Sequence, residues 1–117
     1  MSRVKIENNQ LIVTVQGARK LFAVKSEISI PLTNVQSVTL GLKWKDLPKA
    51  WEKIVGTNAN SFYLGGSFHQ EGNKVFYDIK RKEEAVVIML NDAEFDTLII
   101  GVEDPQATVD LIVQALS

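Results

Sequence analysis

"FDTLIIGVEDPQATVDLIVQAL", residues 95–116, decides the fold class. Its first part, "FDTLIIGV", reads as a strand entered from the turn "NDAE", and its second part changes to the 3.6-residue period of a helix. Asp104 is a good N-cap, because its carboxylate can accept from N–H groups that have no partner in the first turn. Pro105 fits the first helical position, where its missing N–H costs nothing. From there Val109, Ile112, Val113 and Leu116 recur at i, i+3, i+4 and i+7. The sequence therefore predicts an amphipathic helix from about Pro105 to Leu116 with those four side chains in the core.

Upstream of that helix the chain reads as strands. "RVKIE" alternates Val4 and Ile6 with charged residues, "NN" (Asn8 and Asn9) is a tight-turn signal, and "QLIVTVQ" follows as the second strand. "ARKLFAVKS" (18–26) reads as a short helical turn. "EISIPL" alternates Ile28 and Ile30, with Pro31 marking an edge or bend. "NVQSVTLGL" is β-branched and strand-like. "SFYLGGSFH" contains Gly65 and Gly66, which suggest a bend or bulge. "QEGN" then turns the chain into "KVFYDIK", and the charged turn "RKEE" leads to "AVVIML". About seven antiparallel strands followed by one amphipathic helix predict a mainly β fold. The pattern describes a curved β structure in which one helix covers an open edge or end.

The interruption is "LKWKDLPKAWEKIVGTN" (42–58), which holds both tryptophans, Trp44 and Trp51, among Lys43, Lys45, Lys49 and Lys53. Pro48 suits a helix start and Gly56 the position past its end, so a short helix is expected from about Pro48 to Val55 in a long inter-strand connection. On it Trp51, Ile54 and Val55 share one face, expected to cover the protein's own core, and Lys49 and Lys53 share another. Proline disfavours helix at Leu47, which leaves Trp44 outside and exposed. Lys43, Trp44, Lys45 and Lys49 are the candidate contacts for a partner or a lipid surface. Four lysines offset by Asp46 and Glu52 leave about two net charges, each worth about 1 kcal/mol at an anionic surface. That is too little for stable attachment on its own.

Composition bounds the function. The chain has 117 residues, 45% hydrophobic and 23% charged, which suits one domain with one core. Its net charge of −1 lacks the basic excess of a nucleic-acid binder. Cysteine is absent, which removes disulfides and thiolate ligands, and His69 is the only histidine. His69 and Glu71 could share a strand face, but two ligands do not make a metal site. "GGSFH" is not a nucleophile elbow, "NDAEFD" (91–96) lacks the spacing of a calcium loop, and no glycine-rich phosphate motif occurs. "IKRKEE" nearly cancels its own charge and reads as a solvated hairpin tip. No catalytic constellation, metal site or cofactor is expected. With no apolar run of membrane-spanning length and no lipidation signature, a cytoplasmic location is expected.

The order of "KLFAVKSEISIPLTNVQSV" (20–38), "GT" (56–57), "GGSF" (65–68), "KVFYDIKRKEEAVVIML" (74–90) and the closing "FDTLIIGVEDPQATVDLIVQAL" resembles a pleckstrin-homology-like barrel. The chain looks like a small stand-alone bacterial member of that class. The resemblance implies a barrel of two roughly orthogonal antiparallel sheets, about seven strands closed by the C-terminal helix, and a non-catalytic binding role, without naming a ligand. Phosphoinositide-binding members cluster basic residues in the first hairpin loop, which here reads "ENNQ". The expected function is a non-enzymatic binding or assembly module acting through protein–protein contact or self-association. The alternative is weak, charge-dependent binding to anionic membrane lipid through 42–58.

Overall fold

The computed structural model describes residues 1–15, 27–43, 52–53, 58–59, 63–70 and 72–117. Asn8 and Asn9 both take positive φ, 52° and 62°, as the tightest hairpin turn requires. They join β1 (Ser2–Glu7) to β2 (Gln10–Val15), with Glu7 opposite Gln10. Against β2 lies β3 (Glu27–Pro31), also antiparallel, which completes a three-stranded sheet in the order β1-β2-β3. Period-2 patterning sets its faces: Leu11, Val13, Val15, Ile28 and Ile30 are buried, whereas Glu27, Ser29 and Pro31 are exposed.

A 3₁₀ turn over Leu32–Asn34 leads into the second sheet. Its strands are β4 (Val35–Lys43), β5 (Glu52–Lys53), β6 (Asn58–Ala59), β7 (Tyr63–Gln70), β8 (Asn73–Lys80), β9 (Glu84–Leu90) and β10 (Thr97–Gly101). They run in the order β4-β9-β10-β8-β7-β5, and β6 also pairs with β7. β8 and β9 are joined by a three-residue connection at 81–83 yet are not neighbours, because β10 lies between them. It runs parallel to β8 and antiparallel to β9. Leu98, Ile99 and Ile100 are all buried, since a strand in the middle of a sheet covered on both sides has no solvent face.

The sheet carries two cores. One side joins Phe76, Val86, Ile88, Leu98 and Ile100 to the first sheet and to Ile112. The other gathers Leu64, Phe68, Val75, Tyr77, Ile79, Ala85 and Ile99, with the rings of Phe68 and Tyr77 edge to face at 5.2 Å.

Several expectations are corrected. Among the described residues the strands form two sheets rather than a closed barrel, and the one backbone bridge between them is parallel, from Ser2 to Val102. Pairing is not antiparallel throughout, because β10 inserts beside β8. The helix expected over 48–55 is not formed at Glu52–Lys53, which pair as a strand with His69 and Phe68 of β7. There a tertiary partner overrides local helix propensity. The remaining positions of 44–57, Trp51 among them, and the helical turn expected over 18–26 lie outside the described residues.

The C-terminal helix α1 (Pro105–Leu116) forms as the sequence predicts, with the Asp104 carboxylate accepting from the Ala107 N–H at 3.0 Å. Its buried face is rotated from the expected one. Ile112 is fully buried and Val109 half-buried, but Val113 is 50% and Leu116 38% exposed. Half-buried Pro105, Thr108 and Ala115 complete the inward stripe. Thr108 can face the core because its hydroxyl donates to the Asp104 carbonyl at 2.9 Å. That centres the stripe on Ile112, and Val113 falls about 100° to the side.

Candidate functional site

Strand geometry fixes which way each backbone group of β3 points. In the hairpin, Glu7 and Gln10 flank a two-residue turn and are a hydrogen-bonded pair, so residues 10, 12 and 14 face β1. Leu11 and Val13 therefore bond β3 through Ile30 and Ile28. The pattern continues past the strand end, where the Leu32 N–H donates to the Asn9 carbonyl at 3.0 Å. Glu27, Ser29 and Pro31 consequently turn their backbone groups away from the sheet, and among the described residues no strand pairs with that edge. Pro31, lacking an N–H, stands where a donor would otherwise point outward.

That edge borders a cleft of about 220 Å³. One wall is β3 itself, and the other is the connection between β9 and β10 with Ala93, Glu94 and Phe95. The second wall is held on several sides. Asp96 accepts through its side chain from the Lys74 N–H at 2.8 Å, and its own N–H donates to the Lys74 carbonyl at 2.8 Å. The Leu90 N–H donates to the Asp96 carbonyl at 2.9 Å, and the Asn91 N–H to the Asn34 carbonyl at 2.8 Å. Phe95 is buried against Phe76 with ring centroids 5.5 Å apart, and the Lys74 ammonium lies 5.0 Å from its ring centre. The cleft is therefore pre-formed. At its mouth stand Glu27 and Glu94, and no lysine or arginine occurs among its described lining residues. Glu94 meets Lys74 at 3.9 Å.

A second polar feature lies within the protein. Asp78 on β8 is wholly buried and accepts from the Tyr63 hydroxyl at 2.7 Å and the Ser2 hydroxyl at 2.5 Å. Gly65 makes this possible: it is the register partner of Asp78, and a Cβ there would collide with the Tyr63 ring. The ring folds over the glycine and so reaches the carboxylate. Ser2 belongs to the first sheet and Asp78 to the second, so the cluster ties the sheets together beside the Ser2–Val102 bridge. Its chemistry is that of a structural tie. It binds hydroxyl to carboxylate and presents no group to solvent.

Of the residues singled out from sequence, Lys43 ends β4 opposite Glu84. Trp44, Lys45 and Lys49 lie outside the described residues. His69 is exposed on β7, and Glu71 lies outside the described residues. Among the described residues no group of three or more His, Asp or Glu side chains is placed to hold a metal ion, and no helix is long and apolar enough to cross a membrane. No protein-family model, curated protein or solved structure matches the chain.

The cleft was missed from sequence because its walls, 27–34 and 93–95, are distant along the chain. Pro31 was the one local signal, since proline in a strand pattern marks an edge. Asp78 left a fainter one. It is a lone acid in "KVFYDIK", a strand whose other central residues are apolar on both faces.

Proposed function

We propose that the protein is a non-catalytic binding module that takes an extended segment of a protein partner as an added strand on the outer edge of β3. The observation that carries this is the β3 edge, unbulged and, among the described residues, paired with no strand, which opens onto a pre-formed cleft. Exposed edges are a hazard that proteins usually blunt, and an edge left regular is suited to β-addition. Main-chain N–H and C=O groups of Glu27 and Ser29, with the Pro31 carbonyl as a further acceptor, would supply affinity, and the cleft would select side chains. Its volume supports this reading too, being below the roughly 300–1,000 Å³ of small-molecule sites and suited to a side chain or two.

Ser29→Pro tests it. The substitution removes an outward N–H and leaves the ladder to β2 intact, so the variant should fold while losing the edge. Proteins captured from a cell extract by the wild-type chain should be missing from the Ser29→Pro capture. An identical set on both would refute strand addition.

A further inference from the structure

We infer that the segment β3 accepts alternates apolar with cationic side chains, and that it belongs to a different protein rather than to a second copy of this chain. The inference rests on the strand-addition reading and adds the chemistry of the occupant. A strand laid beside β3 places every second side chain on the side of Ile28 and Ile30, where the cleft walls are Ile28, Ile30, Ala93 and Phe95. Those positions favour apolar groups. The intervening side chains fall on the side of Glu27, which is exposed and makes no ion pair among the described residues. Glu94 stands on the facing wall, where Lys74 meets it at 3.9 Å. A lysine or arginine opposite Glu27 gains an attractive cross-strand pair, whereas an acid there meets like charge.

A second copy fits the same edge poorly. Antiparallel pairing of two β3 strands centred on Ser29 sets Pro31 of each opposite Glu27 of the other. The proline has no N–H to give, so each of the two outer pairs loses one of its two hydrogen bonds. It would also bring the acidic residues of both rims to one interface.

Two short synthetic peptides, one alternating valine with lysine and one alternating valine with glutamate, separate the possibilities when titrated into the isotope-labelled full chain. The lysine peptide is expected to shift the amide signals of Glu27 and Ser29 and to bind about tenfold more tightly than the glutamate peptide, an advantage that shrinks as salt is added. Glu27→Lys should erase that preference. Equal binding of both peptides at Glu27 and Ser29 would overturn the cationic preference and leave strand addition standing. If neither peptide moves those two amides, strand addition and this inference fall together. A wild-type chain already dimeric by light scattering, with Ser29→Pro restoring the monomer, would name a second copy as the occupant and overturn the choice of partner.

Discussion

Two edge strands of this protein are treated in opposite ways. β4 ends the larger sheet with nine residues, yet its register against β9 shifts twice, between Val35 and Ser37 and between Leu40 and Leu42. At the second shift Gly41 takes φ of 107°, a conformation that twists the strand away from regular pairing. α1 packs against the same strand. β3 ends the smaller sheet with five residues in unbroken register, ending in Pro31. Bulges and helix cover make the long edge a poor template for another strand. Among the described residues the short edge is shielded by one proline at its end, beside a cleft with a fixed far wall. An edge defended by geometry and an edge left regular in one molecule are the contrast on which the proposed strand addition rests.

The largest effect should come from the wall of the cleft. Phe95→Ala removes a buried ring packed on Phe76 and should cost about 3–5 kcal/mol, measured by denaturant unfolding. A loss below about 1 kcal/mol would mean that the wall is not anchored as described. Ile112→Ala, under the helix that covers β4, should cost about 2–5 kcal/mol, whereas Val113→Ala at a 50% exposed position should stay within about 0.5 kcal/mol. Equal costs at 112 and 113 would restore the buried stripe expected from sequence.

Gly41→Val sharpens the contrast at the other edge. A Cβ at Gly41 meets nothing within 4 Å, so the substitution acts through φ alone and should cost about 1–3 kcal/mol. If the strand instead relaxes by straightening, β4 becomes a regular edge and the chain should self-associate, visible as a rise in light-scattering mass. An unchanged stability and mass would show that the bulge does not depend on glycine. Ser29→Pro should have the smallest effect, under about 1 kcal/mol by thermal melting, because the N–H it removes bonds nothing among the described residues.

Much of this contrast was legible in the sequence, in the places where structure is set locally. Asn8-Asn9 specified a hairpin because both residues tolerate positive φ. Asp104-Pro105 fixed the helix start because a cap needs only its own first turn. Pro31 announced an edge. What stayed hidden depends on distant pairing. Nothing in "TLIIG" distinguishes a strand lying between β8 and β9 from one at the margin, since the choice rests on which sheet faces are covered. Glu52–Lys53 had a helical pattern that lost to pairing with β7. The buried face of α1 was misjudged by counting only large apolar residues, when Thr108 could turn inward by bonding its own helix.

The most direct test of the account is amide hydrogen exchange along β3, alone and with the valine–lysine peptide. In the free chain Ile28 and Ile30 should exchange slowly, because they bond β2, while Glu27 and Ser29 exchange at rates close to those of an open chain. With the peptide bound, Ser29 should slow to the range of its neighbours. Protection of Ser29 in the free chain equal to that of Ile28 and Ile30, or no slowing at a peptide concentration that saturates binding, would contradict an open edge that takes a strand.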